Sequence, residues 1–188
     1  MVDQFESKQD ARLWEAARTL DEMGELTARW LEGTVAFCPS QPCDGPDWET
    51  TDLVPVLAGF NRSGLVTTGS QPGEEVLEGC GQRAWVDGVC SEVVADSLVV
   101  AGLMSDLVVL AYRPGSVGES VIPVTISGLV PVTQVGGASS AEIIDGAFED
   151  VHADGRAELR SAWQVTVIDP RWGRNDLLWD LVTAALAD

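Results

Sequence analysis

Acid–base or nucleophilic catalysis needs a poised group within hydrogen-bond reach of a second group, and the sequence offers few such pairs. The single histidine, His152, lies in the polar stretch 150–155, which is typical of a solvated surface turn. The four cysteines contain no CxxC pair and lie far from His152 in sequence, so we expect no metal site. Neither a Gly-x-Ser-x-Gly elbow nor a Gly-x-x-x-x-Gly-Lys phosphate loop occurs. The sequence therefore favours a protein without catalysis.

A glycine-containing segment, Val76–Gly81, is similar to the glycine turn that opens the cofactor site of a Rossmann-type methyltransferase. That turn works when a buried strand precedes the glycines and a glycine-rich helix start follows them, because the backbone then approaches the ligand closely. Here Pro72–Glu75 leaves almost no room for a strand, and Gln82–Val86 is not a helix start. We interpret Val76–Gly81 as a plain turn, with a methyltransferase as the weaker alternative.

The most informative stretch is Glu49–Gly73, ETTDLVPVLAGFNRSGLVTTGSQPG. It contains Glu-Thr, an apolar helical pattern, Asn-Arg-x-Gly, two apolar residues and Thr-x-x-Ser-Gln-Pro, in one register without a gap. In that register it resembles a segment of the S-adenosylmethionine-binding regulatory domain of eukaryotic-type methylenetetrahydrofolate reductases. The matching positions are Glu49, Thr50, Asn61, Arg62, Gly64, Thr67, Ser70, Gln71 and Pro72. The resemblance is weaker through Gly81–Pro114 and returns over residues 167–169 and 175–182.

The resemblance implies a site for S-adenosylmethionine or S-adenosylhomocysteine at four residues, Glu49, Thr50, Thr67 and Ser70. S-adenosylmethionine carries a sulfonium, an ammonium, a carboxylate and ribose hydroxyls, and a carboxylate with small hydroxyls can bind such groups. Two further threonines of the family lie on a later β segment, where Thr125 and Thr133 are the nearest matches at a shorter spacing. Without the resemblance, Glu49 and Thr50 would be a helix cap, and Ser70 and Gln71 would belong to a turn.

The chain also departs from the family. The flavin-carrying catalytic barrel of the reductases has no counterpart here, and their linker and early regulatory segment are shortened to Ala11–Asp47, where Trp14 with Ala16 or Ala17 matches a Trp-Ala of that linker. We therefore expect no flavin and no reductase activity. A bound ligand would control another molecule or the oligomeric state, and the resemblance implies a homodimer or a protein partner.

The elements that position these residues follow from hydrophobic periodicity and helix caps. We expect helices over Ala11–Leu31 with a break near Met23-Gly24, from Thr50 or Thr51 to about Asn61, from Ser91 to about Gly102, from Ser139 or Ser140 to about Gly146, and from Asn175 or Asp176 onward. We expect strands at Thr34–Phe37, Leu65–Thr68, Arg83–Val89, Leu107–Tyr112 and Trp163–Ile168, and a hairpin of Val121–Ile126 with Leu129–Val135. Pro39–Asp47 and Gly69–Gly73 are predicted to be loops, Ala147–Ser161 is polar and mixed, and Asp169-Pro170 is predicted to interrupt the last strand.

Helices and strands that mix without a strict β-α-β rhythm predict an α+β domain rather than a doubly wound sheet. We expect a mixed β-sheet core with surrounding helices, and the resemblance implies the architecture of the reductase regulatory domain. A length of 188 residues fits a single domain. Within it, residues 1–47 would form a helical N-terminal segment and loop, and residues 48–188 the regulatory-domain-like core.

The charge balance limits the partners. The sequence has 30 acidic and 11 basic residues, a formal net charge of −19, which repels nucleic-acid phosphates and anionic membranes. We therefore expect neither as a partner. A mimic of DNA is the alternative, but the acidic residues are scattered without a long block, which is typical of a solubilising surface.

The N-terminal sequence, MVDQFESKQDARLWEA, lacks the basic and then apolar run of a secretory signal, and the sequence has no run of about 18 apolar residues. We expect a cytoplasmic protein with reduced, buried cysteines at positions Cys38, Cys43, Cys80 and Cys90.

Together these points predict a stand-alone sensor or allosteric regulatory protein that binds S-adenosylmethionine or S-adenosylhomocysteine without catalysis. One alternative is an acidic protein–protein interaction module that kept the fold but not the ligand. The other is an enzyme that acts on S-adenosylmethionine, for which the sequence presents no catalytic residue set.

Overall fold

The computed structural model describes residues 4–41 and 45–187, with side chains from residue 10 onward. The protein is of the α+β class. Its helices are α1 (Gln4–Ala16), α2 (Leu20–Leu31), α3 (Val54–Arg62), α4 (Glu92–Leu103), α5 (Ala141–Ala147), α6 (Ala153–Ser161) and α7 (Leu177–Leu186), and a 3₁₀ helix, Trp48–Leu53, leads into α3. Its strands are β1 (Leu65–Gln71), β2 (Glu74–Leu77), β3 (Cys80–Cys90), β4 (Val108–Tyr112), β5 (Ile122–Ser127), β6 (Val130–Val135) and β7 (Trp163–Trp172).

Strand β3 is the centre of the sheet. Residues 83–90 of β3 lie beside β7 and, from residue 85, also beside β1, whereas residues 80–82 pair with β2 and β5. The order through the sheet is β4-β7-β3-β5-β6, and β1 and β2 attach to β3 alone. All pairings of the described strands are antiparallel, so the mixed sheet that we expected from the sequence is wrong. The reason is that β7 inserts between β3 and β4, the two strands that helix α4 connects in parallel orientation.

The two faces of the sheet support different cores. Because successive strand residues point to opposite faces, Val86 and Val167 join the large core under the helices, whereas Trp85 and Ile168 point the other way. Ile168 packs with Val124 of the β5–β6 hairpin in a small second core, and Trp85 packs against it. The large core also takes in residues of α1, α2, α3, α4 and α7.

Several predicted elements are confirmed. Helix α4 begins after Ser91, whose Oγ accepts a hydrogen bond from the Val94 amide at 3.3 Å, and α5 begins after Ser140, which caps it in the same way. The β5–β6 hairpin and strand β4 are present, and α7 begins after Asp176. The prediction of a turn over Val76–Gly81 holds only for Glu78 and Gly79, which have positive φ and join β2 to β3; the residues on either side belong to these strands. Strand β2 begins at Glu74, where we expected almost no room for a strand.

The N-terminal predictions need correction. The helical break lies at residues 17–19 rather than at Met23-Gly24, because Thr19 and Glu22 form a reciprocal capping box that starts α2. Thr34–Phe37 is not a strand. The Thr34 and Val35 amides donate to the Arg29 carbonyl at 2.8 and 3.2 Å, so they complete the end of α2 instead of a sheet.

Later predictions fail where tertiary pairing overrides local signals. Thr50 and Thr51 do not cap a helix but lie inside the 3₁₀ helix. Strand β1 continues through Ser70 and Gln71, which were predicted to be loop, because they pair with Val86 and Trp85. Residues 153–161 form α6, and β7 continues through Asp169 and Pro170.

Of the cysteines predicted to be buried, Cys38 and Cys90 are buried and Cys80 is exposed, while Cys43 lies outside the described residues.

Within residues 4–41 and 45–187, no helix combines the length and the apolar character that crossing a membrane requires.

Candidate functional site

A cleft with a volume of ≈ 200 Å³ lies where α2 and the 3₁₀ helix meet strand β1. Three of the residues that the resemblance implies, Thr50, Thr67 and Ser70, line it together. Thr50 comes from the 3₁₀ helix, and the other two come from β1, which pairs only with β3 and so forms an edge of the sheet. Because helix α3 separates Thr50 from the two β1 residues in sequence, its position beside them is a result of the fold.

The cleft has an aromatic wall with an unsatisfied donor. Trp30 of α2 lines it, is only 5% exposed, and its Nε1–H has no hydrogen-bond acceptor among the described residues. A buried N–H without an acceptor costs about 1–3 kcal/mol, so such groups are uncommon in folded proteins. A ligand oxygen or ring nitrogen in the cleft would supply the missing acceptor.

Thr67 is held by Asn61, a buried residue in the last turn of α3. The Asn61 Nδ2 donates to the Thr67 Oγ1 at 2.8 Å and to the Leu57 carbonyl at 2.8 Å, and its Oδ1 accepts from the Thr67 amide at 2.9 Å. The side-chain amide of Asn61 therefore connects α3 to β1. Since the Thr67 Oγ1 accepts from Asn61, the hydroxyl proton of Thr67 remains available for a ligand.

Trp85 of β3 also lines the cleft, and contacts with Gln71 and Gly69 fix the position of its ring. Its Nε1 donates to the Gln71 Oε1 at 2.9 Å, and the ring lies over Gly69, where a β-carbon would come within 2.9 Å of it. Glycine at position 69 thus makes room for the ring. An aromatic face of this kind can stack on a base or contact a cation.

Thr125 and Thr133 do not line the cleft. They face each other across the β5–β6 pair. Thr125 is nevertheless connected to the cleft, because its Oγ1 donates to the Gln71 Oε1 at 3.0 Å, the same oxygen that anchors Trp85. Thr133 has no such connection among the described residues, and its β6 neighbours are largely exposed.

Glu49 also lies outside the lining of the cleft. Its Oε2 accepts a hydrogen bond from the Gln82 Nε2 at 3.3 Å, which ties the 3₁₀ helix to β3. The carboxylate at the cleft is instead Asp47, an exposed residue just before the 3₁₀ helix. The side chains that the sequence did not indicate are therefore Trp30, Asp47 and Trp85. Trp30 lies in the helical pattern Ala11–Leu31, and no sequence signal reports that its N–H would lack an acceptor.

The histidine has a structural contact. His152 precedes α6, and its Nδ1 accepts a hydrogen bond from the Asp154 amide at 3.1 Å, which caps the helix. In the part of the chain that the structure describes, no three His, Cys, Asp or Glu side chains are grouped so as to hold a metal ion.

The cleft combines aromatic rings, hydroxyls and a carboxylate, a chemistry suited to binding a polar organic molecule.

The family model described as "Domain of unknown function (DUF6919)" matches residues 9–188. No curated protein matches the chain. The family match spans every residue of the cleft.

Proposed function

Since the chain belongs to the DUF6919 family, whose description names no function, we propose a function from the site itself: the protein is a non-catalytic sensor that binds S-adenosylmethionine or S-adenosylhomocysteine in the cleft beside β1. The observation that carries this proposal is the meeting of Thr50, Thr67 and Ser70 in one cleft with the unsatisfied Nε1–H of Trp30. The threonines and the serine are positions of the reductase-like register, and the tryptophan is independent of it.

The groups in the cleft complement those of the ligand. The rings of Trp30 and Trp85 can contact adenine or a sulfonium, and the hydroxyls can bond to ribose or to a carboxylate. Asp47 offers a negative charge for the ammonium group. The volume of ≈ 200 Å³ is below the range of about 300–1,000 Å³ usual for pockets that enclose a drug-sized ligand, so we expect the cleft to enclose only part of the molecule.

Isothermal titration calorimetry with each ligand tests the proposal. We expect saturable binding to the wild type, and we expect Ser70→Ala and Trp30→Phe to raise Kd by about threefold to tenfold, because each removes one neutral hydrogen bond. Ser63→Ala is the matched control, since Ser63 is exposed at the end of α3 and lies outside the cleft. Glu49→Gln should also leave Kd unchanged, because its carboxylate contacts Gln82 instead of the cleft.

Two results would contradict the proposal. The first is the absence of a binding signal from the wild type with both ligands. The second is an equal loss of affinity in Ser63→Ala and Ser70→Ala, which would locate the ligand elsewhere. Chromatography of the ligand after long incubation separates a binder from an enzyme: intact S-adenosylmethionine is expected, and a converted product would favour catalysis.

A second candidate function, a protein–protein interaction module, is favoured by one observation. Val93, Val100 and Leu103 of α4 and Met104 just after it are exposed to solvent. Val93 and Val100 line a shallow apolar groove together with Leu181 of α7. Apolar patches of this kind commonly mark interaction surfaces. This function is compatible with ligand binding, and it becomes the leading one if neither adenosyl ligand binds.

A further inference from the structure

A second cavity, larger than the cleft, is bounded by strands β3 and β7 and by helix α5. Its volume is ≈ 420 Å³, within the range of about 300–1,000 Å³ of small-molecule sites. It shares no lining residue with the cleft described above, although the two adjoin along β1, where Thr67 lines the cleft and Thr68 lines the cavity. It can therefore be considered as a separate site.

The cavity contains a carboxylate with one unpartnered oxygen. Asp87 of β3 lines it, and the Asp87 Oδ1 is buried without a hydrogen-bond donor among the described residues. Asp87 is also the only titratable side chain of the described lining, and it takes part in no ion pair of the described chain. Burial raises the pKa of Asp87 to about 6, while the side chain of Thr166, its cross-strand neighbour, acts in the opposite direction. At neutral pH the fold thus keeps a half-buried negative charge that has no cationic partner among the described residues.

The rim of the cavity is held in place by paired hydrogen bonds. Gln164 of β7 binds the backbone of Ser139 twice: its Oε1 accepts from the Ser139 amide at 2.7 Å, and its Nε2 donates to the Ser139 carbonyl at 2.9 Å. Gly118 and Ala138 exchange two backbone hydrogen bonds of 3.0 Å. Ser140 then caps α5. These contacts fix both connecting segments before any ligand arrives, which lowers the entropy cost of binding.

The lining divides into polar and apolar parts. Besides Asp87, the lining includes the hydroxyl-bearing residues Ser40, Thr68, Ser120 and Ser139, and α5 and its C-terminal flank contribute Ile144 and Phe148. An ammonium group has three N–H donors, so one can reach the carboxylate while the others meet hydroxyl oxygens. The apolar part would cover a hydrocarbon body.

We propose that this cavity is a second ligand site, for a small molecule that presents a protonated primary amine to Asp87 and an apolar body to Ile144 and Phe148. The site does not depend on the adenosyl ligand of the first cleft. A cation is favoured over a neutral hydroxyl ligand because it neutralises the buried charge, and charge-assisted hydrogen bonds are about twice as strong as neutral ones.

Phenethylamine is a suitable probe, since it carries a primary ammonium at neutral pH, and phenethyl alcohol is its neutral analogue. We expect ligand-observed NMR titrations to give a Kd for the amine that is about tenfold or more below that of the alcohol with the wild type. Asp87→Asn should raise the Kd for the amine by about tenfold or more and change the Kd for the alcohol little. Asp96→Asn is the matched control, because Asp96 is an exposed carboxylate on α4.

Equal binding of amine and alcohol by the wild type, or no binding of the amine, would overturn the proposal without the use of any variant. So would an Asp87→Asn protein that binds the amine as tightly as the wild type does. Titration of Asp87→Asn with S-adenosylmethionine tests whether the cleft and the cavity are separate sites. Unchanged affinity supports separate sites, whereas loss of S-adenosylmethionine binding would show one shared site and refute a second one.

Discussion

At the scale of residues, five buried side-chain atoms lack a hydrogen-bond partner in the described chain, and two of them belong to residues that line the cleft and the cavity. Trp30 lines the cleft and Asp87 lines the cavity, and the Trp30 Nε1 and the Asp87 Oδ1 are both buried without a partner in the described chain. Such groups lower the stability of the empty protein, because water is lost on burial and no protein group replaces it. A cost of this kind at a site with room for a ligand is the pattern expected where function and stability compete.

The pH dependence of stability should reveal Asp87. Its pKa rises from an ordinary value of 3.8 to about 6 on folding, so the folded protein binds the proton more tightly than the unfolded chain does. The contribution of Asp87 to the free energy of unfolding therefore decreases as the pH rises from about 4 to about 6. Above that range the total decrease is at most about 3 kcal/mol.

We predict that Asp87→Asn is more stable than the wild type at neutral pH, by at most about 3 kcal/mol, and that the difference disappears near pH 4. Urea unfolding of both proteins across this range measures it, with Asp96→Asn, the same substitution at an exposed position of α4, as the control. A stability difference that is constant with pH would contradict the assignment of a raised pKa to Asp87.

The sequence could indicate part of the cleft but not all of it. Thr50, Thr67 and Ser70 were identified by their shared register, and the structure places them in one cleft. Trp30 and Trp85 could not be identified, because an unpaired N–H and the position of a ring over Gly69 depend on packing between distant segments. Asp87 could not be identified for the same reason, because the cavity that it lines is formed by segments far apart in sequence.

At the scale of elements, the contact between α2 and α3 depends on Gly24. A β-carbon at this position would lie 2.3 Å from the carbonyl oxygen of Asn61, the residue that holds Thr67. The sequence predicted a helical break at Gly24 because glycine is a weak helix former. The structure gives another reason for the glycine, which is the close approach of two helices.

We predict that Gly24→Ala destabilises the protein by about 2 kcal/mol or more. The added methyl group would push the backbone carbonyl of Asn61 away, and this would disturb the hydrogen bonds between the Asn61 side chain and Thr67 of β1. Gly59→Ala is the matched control: Gly59 is a helical glycine of α3 with open space around it, so alanine should stabilise the helix by about 0.5–1 kcal/mol. Chemical denaturation measures both. Gly24→Ala with wild-type stability would show that α2 and α3 are not in close contact.

Local signals identified the elements whose ends are set by their own residues. Ser91 and Ser140 cap helices by bonds within the same segment, and glycine-containing turns mark the hairpins. The extent of β7 was not predictable in this way. Pro170 lies where the register shifts between the pairs Trp85–Ile168 and Arg83–Trp172, so its missing N–H interrupts no ladder bond at that point. Strand continuity here depends on β3, a segment far away in sequence.

At the scale of the whole molecule, charge and topology favour cationic small ligands. The net charge of −19 attracts cations and repels polyanions, which agrees with the two proposed ligands, a sulfonium for the cleft and an ammonium for the cavity. The two sites meet along the edge strand β1, through Thr67 and Thr68, and also through Gln41, whose Nε2 donates to the Thr68 carbonyl at 2.9 Å. A ligand in one site therefore lies next to the backbone that forms the other.

The central claim is that the cleft beside β1 binds an adenosyl ligand, and a crystal structure of the protein with saturating S-adenosylhomocysteine tests it most directly. We predict ligand density between α2, the 3₁₀ helix and β1, with a ligand acceptor within about 3.2 Å of the Trp30 Nε1 and ligand polar atoms in contact with the Ser70 hydroxyl. Ligand density at any other place on the molecule, or an empty cleft at saturating ligand, would contradict the claim.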